Sequence, residues 1–235
     1  MIILTPQNDY KFNTRDSKDD PSDDHDLDYK VVKETWVENV YHIEDGDFYD
    51  TGVMVDIGAN IGAVSLFVDN LNHKRDADKP PIRVFAVEPE PHNLKYLKMN
   101  IANNPVTKHL KLIPNAIWHT SGKVQISNRG GNSNIFGRNN STDISEVRAM
   151  TIAELFDKYQ ISEADVMKID IEGAEYDLLI NTPDDILKRI KYLTLEFDAN
   201  DDGKFGQMVD KLSRIFGIQI LGSPARGGYI YGKRY

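Results

Sequence analysis

The chain has 235 residues, a net charge of −9 and no cysteine, with 40% hydrophobic and 28% charged residues. A chain of this length buries about 70% of its unfolded surface, so it forms a core without disulfide or metal staples, and its composition excludes collagen-like, wholly disordered and multi-span membrane chains. Without cysteine there are no disulfides, cysteine metal sites or thiol nucleophiles, and the acidic balance argues against a general binder of phosphate backbones.

Met1-Ile2-Ile3-Leu4 turns polar at Thr5-Pro6-Gln7. That is no signal peptide, and no run approaches the ~18 apolar residues of a membrane span. A cytoplasmic protein is expected. Residues 13–28 contain one apolar side chain, Leu27. Such a stretch buries too little to offset its ordering entropy. Residues 1–30 are therefore expected to be an acidic flexible arm, with a cation-binding role for the acids as the alternative, and residues 31–235 a single domain.

Val32, Trp36, Val37, Val40 and Tyr41 repeat at helical spacing, which predicts a helix over Val31–Tyr41. A buried strand, Val53–Ile57, leads through Gly58–Gly62 into a helix over Ala63–Leu71. Asn72–Pro81 reads as a charged loop, Ile82–Val87 as a second strand, and Pro91 opens a helix to about Asn103. Leu110–Ile113 is a third strand, with Ala116–Trp118 read as its extension, and Lys123–Ser127 alternates like a hairpin strand. Asn128–Asp143 is a long polar loop. Thr151 and Glu154 form a capping box for a helix to Tyr159. Strand Asp165–Ile171, helix Ala174–Asn181, strand Tyr192–Phe197 and helix Gly206–Phe216 follow, then short strands Ile218–Leu221 and Tyr229–Tyr231 around Gly227-Gly228. This alternation predicts an α/β fold, a doubly wound and mostly parallel sheet with an antiparallel edge hairpin.

The first strand and turn read Val55-Asp56-Ile57-Gly58-Ala59-Asn60-Ile61-Gly62. Strand, glycine turn and helix form a nucleotide cradle at a sheet's carboxyl end. The glycines are four apart rather than spaced for a pyrophosphate, and Asp56 favours a cationic or amine-bearing ligand such as S-adenosylmethionine. Asp56, Gly58, Ala59, Asn60 and Gly62 are candidate ligand-binding residues, an ordinary tight turn being the alternative. Glu88 ends the second strand, where a carboxylate can accept both ribose hydroxyls. Glu90 is expected to be solvated.

Together these residues resemble the class I methyltransferases that use S-adenosylmethionine. Asp165-Val166-Met167-Lys168-Ile169-Asp170-Ile171-Glu172-Gly173-Ala174-Glu175 resembles the signature of the FkbM-type family. Glu34, Asn39, Tyr41, Asn115-Ala116-Ile117 and Thr151-Ile152-Ala153-Glu154-Leu155 fit that family at matching places, so the likeness covers roughly residues 31–222. The resemblance implies a seven-stranded Rossmann-like sheet and methyl transfer, usually to oxygen, on small natural products, sugars or glycans. It places Asn115 and Ala116 beside the adenine, with a plain turn asparagine as the alternative. It sets the strand end carrying Asp170, Glu172 and Glu175 toward the transferring methyl.

Alternation sends Asp170 and Glu172 to opposite faces if the strand continues straight. Each is a candidate catalytic base, or an orienting group for the cofactor amine, or with Asp198 a Mg²⁺ ligand; the resemblance demands no metal. Trp36 and Tyr41 could cap the pocket or sit in the core. The chain departs from many members in the enlarged Asn72–Pro81 loop and in Glu196-Phe197-Asp198, where a histidine often stands two residues after the glutamate. The early helix, Asn72–Pro81 and Asn128–Asp143 are expected to form the acceptor pocket. A non-catalytic S-adenosylmethionine binder is a second reading. A nucleic-acid methyltransferase is a third, for which Lys188, Arg189 and Lys191 are too few to make a basic groove.

Overall fold

Residues 53–57 and 164–169 are buried at every position, as in strands covered on both faces. The structure, a computed structural model, describes residues 2–5, 10–15, 27–43, 52–76, 78–127, 144–199 and 203–235. In chain order the elements begin β1 (Ile2–Leu4), β2 (Lys11–Asn13), α1 (Leu27–Trp36), β3 (Val53–Ile57), α2 (Ala63–Lys74), β4 (Arg83–Val87), α3 (Pro91–Ala102) and β5 (Leu110–Ile113). Next come β6 (Ala116–Ile117), β7 (Gly122–Ser127), β8 (Ile144–Met150), α4 (Ile152–Lys158), β9 (Ala164–Ile169) and α5 (Glu175–Asn181). The last are α6 (Asp184–Leu187), β10 (Ile190–Phe197), α7 (Lys204–Ser213), β11 (Phe216–Ser223) and β12 (Gly227–Arg234).

Seven strands form the main sheet in the order β11-β12-β10-β9-β3-β4-β5. The run from β5 to β10 is parallel, and β12 is antiparallel to both its neighbours. Met54 and Val84 pack with Trp36, Leu66 and Phe67 on one face; Val55 and Ile57 pack with Phe156, Leu178 and Leu212 on the other. This is the doubly wound architecture and edge hairpin that the sequence predicts. Among the described residues, no helix is long and apolar enough to cross a membrane.

Four differences matter. First, α1 starts and ends earlier than the periodicity predicts. Beyond Trp36 the chain turns, with Asn39 and His42 at φ 49° and 52°, and the Asn39 side chain accepts from the Ile43 N–H at 3.0 Å. An asparagine bonded to nearby backbone competes with the helix. Second, Ala116–Ile117 does not extend β5. It pairs with β8 in a separate three-stranded sheet, β6-β8-β7.

Third, the described flanks of the expected arm are anchored. Tyr10 and Phe12 are buried against Trp36. Asn13 donates to Asn100 Oδ1 from its backbone N–H at 2.6 Å, and Arg15 forms a buried ion pair with Asp28. Much of this anchoring is polar, so apolar content alone misses it. Residues 16–26 lie outside the described residues. Fourth, Asn72 belongs to α2 and clamps the start of β4, its amide bonding both the Ile82 N–H (2.7 Å) and carbonyl (2.9 Å). That places the loop at the amino end of β4. The Asn128–Asp143 loop lies outside the described residues.

Candidate functional site

A cleft of about 230 Å³ opens at the carboxyl ends of β3, β4, β9 and β10. Such a crevice is where open α/β sheets bind ligands. Helix α1 lies along it, presenting Leu27, Lys30, Val31 and Glu34 at helical spacing.

At one end, Gly58 takes φ 80°, and a Cβ there would fall 1.8 Å from the Asp170 carbonyl oxygen. Only glycine lets the turns after β3 and β9 approach so closely. Asn60 donates its backbone N–H to Glu88 at 2.7 Å. Glu88 also accepts from the Glu90 N–H (2.9 Å) and the Asn93 amide (3.4 Å). Burial pushes the Glu88 carboxyl up to about 7, even though these donors favour its charged form.

Glu90 is not solvated. It is 1% exposed, caps α3 by accepting from the Asn93 N–H at 2.6 Å, and lines the cleft. Its Oε1 is buried with no hydrogen-bond partner among the described residues. Asn115 and Ala116 line the same end, the Asn115 amide donating to the Arg148 carbonyl at 3.3 Å.

Three candidate ligand-binding residues do not line the cleft. Asp56 is fully buried: its Oδ2 accepts from Ser65 Oγ at 2.6 Å, and its Oδ1 lies 3.5 Å from Lys168 Nζ. It stands one residue before the strand end, so alternation turns it into the helix-covered interior. Ala59 packs on Ala86 and Leu97. Gly62 takes φ 95°, and a Cβ there would come within 2.5 Å of Leu97 Cδ1. These residues hold the turn rather than face a ligand.

At the other end, both Asp170 and Glu172 line the cleft. Strict alternation fails because β9 stops at Ile169 and Glu172 sits at φ 55°. Glu175 fixes this turn, accepting from the Gly173 N–H at 2.8 Å and the Asp198 N–H at 3.1 Å. Burial, then the neighbouring Asp170 and Asp198, raises Glu172 to about 9; burial raises Glu175 to about 8.

Sequence reasoning assigned no role to Lys168 or Glu196. Lys168 is buried; it donates to the Gly58 carbonyl at 2.7 Å and pairs with Asp170 at 3.1 Å and Asp56 at 3.5 Å. Burial opposes its charge, but Asp170 and Asp56 outweigh that and hold its pKa above the ordinary value. The available signal was a lysine inside an apolar strand. Glu196 lies on β10 and lines the cleft. The Tyr41 hydroxyl is 3.1 Å from Glu196 and 3.2 Å from Asp170. Burial, then Asp170, raises Glu196 to about 7. Tyr41 lines the cleft, whereas Trp36 lies in the core, its indole N–H donating to the Ala63 carbonyl. Among the described residues, no three His, Asp or Glu side chains are grouped to hold a metal ion, and none of residues 72–81 lines the cleft.

Comparison with known proteins adds a family. The model of the methyltransferase FkbM domain matches residues 56–231. Among solved structures, the methyltransferase FkbM from Methylobacillus flagellatus KT is 17% identical with a TM-score of 0.55, over 90% of this chain and 55% of that one. The chain thus spans about half the length of that protein. An rRNA methylase from Streptococcus thermophilus is 11% identical with a TM-score of 0.50, over 85% of this chain and 95% of that one. At these identities the likeness is one of fold. No curated protein matches the sequence.

Proposed function

Because the chain belongs to the FkbM methyltransferase domain family, we propose that it is a methyltransferase that methylates a hydroxyl of an uncharged or cationic small molecule, sugar or glycan, using S-adenosylmethionine. The observation that carries the acceptor class is the wall of the cleft: among its described lining residues, seven are Asp or Glu and one is Lys. A polyanion such as RNA would meet these carboxylates, whereas nucleic-acid sites neutralise phosphates with Lys and Arg.

The cofactor fits two features of this chain. Glu90 Oε1, with no partner among the described residues, is a buried acceptor that can take a donor. The Gly58 turn is a cradle that any Cβ would obstruct. In this reading Glu88 and Glu90 accept the ribose hydroxyls, and Asn115 and Ala116 edge the adenine. When bound, S-adenosylmethionine supplies an electrophilic methyl on a sulfonium. The chain supplies alignment, which can contribute about 7–11 kcal/mol, and a carboxylate for the departing proton, worth ~10²–10⁴-fold. Asp170, held between Lys168 and Tyr41, orients the cluster. Glu172 takes the proton, because positive charge entering the cleft favours its ionised form.

The test is S-adenosylhomocysteine release with a panel of neutral sugars, amino sugars and hydroxylated small molecules, against ribosomal RNA and phosphorylated sugars. Turnover confined to the uncharged and cationic members is expected. Turnover on RNA alone would replace this reading with nucleic-acid methylation.

A further inference from the structure

The same wall raises a question of charge for any ligand that is itself part acid. The amino-acid end of S-adenosylmethionine carries an ammonium and a carboxylate. The ammonium suits the acids around Asp170, but the carboxylate would lie among like charges and needs a cation. Buried cations near the cleft are committed elsewhere. Lys168 Nζ faces three acceptors: the Gly58 carbonyl, Asp170 and Asp56. Arg15 is bound to Asp28, Asn93 and Asn60.

Lys30 differs from both. It is the one Lys or Arg among the described residues that line the cleft. It stands on α1 between Leu27, next to the Asp28–Arg15 anchor, and Glu34, whose carboxyl feels the charge of Asp170. Its ammonium is 3.6 Å from Glu34, its side chain is 64% exposed, and so it can swing to a new partner at little cost.

Resting on the cofactor reading above, we infer that Lys30 is a cofactor-binding residue whose ammonium pairs with the carboxylate of the S-adenosylmethionine amino-acid end. Helix α1 is then part of the binding site as well as its cover. Glu34, released from Lys30, is left to face the ammonium.

Titration calorimetry on the full chain tests this with three probes. S-adenosylhomocysteine carries both the ammonium and the carboxylate, decarboxylated S-adenosylhomocysteine lacks only the carboxylate, and 5′-methylthioadenosine lacks both. Lys30→Gln is expected to weaken S-adenosylhomocysteine binding about 5–20-fold, as loss of one partly exposed charge-assisted bond should. It should change binding of the other two probes less than about 2-fold on the same scale. Lys30→Arg should retain most of the native affinity. The loss should persist in a Glu34→Gln background, which separates it from an effect of the unpaired Glu34. Equal loss for all three probes, or no loss for any, would overturn the assignment. If the native chain bound none of the three, the cofactor reading itself would fall instead.

Discussion

Glu88 and Glu90 are two residues apart, and both are buried, yet they meet the cleft with different unmet needs. Both oxygens of Glu88 already accept from protein donors, while one oxygen of Glu90 accepts from none among the described residues. Each carboxylate oxygen can accept more than one bond, so Glu88 keeps capacity for a ribose hydroxyl, and Glu88→Ala should cost S-adenosylmethionine about 1.5–3 kcal/mol of binding, roughly 10–150-fold in calorimetric affinity. The raised carboxyls give a second expectation. Glu88 and Glu196 sit near 7 and Glu172 near 9, so all three are partly or wholly protonated at neutral pH. A cationic ligand favours their ionised forms, so affinity should rise with pH between about 6 and 9 and binding should release protons. Calorimetry in buffers of different ionisation enthalpy reads that release directly; its absence would separate these acids from the ligand. Third, Glu172→Gln should cut turnover ~10²–10⁴-fold and leave cofactor affinity within a few-fold. Full turnover in this variant would remove Glu172 from the mechanism. Glu88 and Gly58 were legible because a strand-end acid and a glycine turn reach the cleft through position alone. Asp56 misled because its orientation depends on where the strand stops. Glu90 and Lys168 escaped because only burial, a long-range property, distinguishes a capping acid and a paired lysine from solvated ones.

At the scale of elements, short apolar runs bounded by turn residues carried the sequence reading. The bounds of β3 and β5 were read without error, and the capping box at Thr151 and Glu154 is present as expected, with bonds of 3.1 and 2.9 Å. Segments fixed by polar contacts were harder. Strand β8 alternates exposed and half-buried positions through Ile144-Ser145-Glu146-Val147, and its partner β7 lies across the Asn128–Asp143 segment, so nothing local marks it. The β1–β2 hairpin reads as a polar arm until Arg15 meets Asp28. That pair is also a liability: both side chains are under a tenth exposed. Arg15→Met would leave the Asp28 charge buried without its cation, and should destabilise the fold by about 3–5 kcal/mol. Urea unfolding measures this; a loss under about 1 kcal/mol would mark the pair as an ordinary surface bridge.

For the whole molecule, the cleft trades stability for reactivity. Glu88, Glu172, Glu175 and Glu196 have an ordinary pKa of 4.5 and reach about 7, 9, 8 and 7 in the fold. Between those values the native state binds more protons than the unfolded chain, so these four groups make stability fall as pH rises from about 5 to 9. The free protein should melt at a higher temperature near pH 5 than near pH 9, and a saturating cofactor analogue should flatten that slope. A melting temperature that rises across this window would contradict the buried-acid picture. The strand order has a different consequence, in the timing of synthesis. β12 follows β11 in sequence but lies between it and β10. A ribosome therefore releases β10 and β11 before the strand that joins them exists. Until residues 227–234 emerge, β10 presents a bare hydrogen-bonding edge, and open edges invite pairing with other chains. A nascent chain stalled or prematurely terminated within that interval would carry the whole parallel half of the sheet and still be a substrate for chaperones.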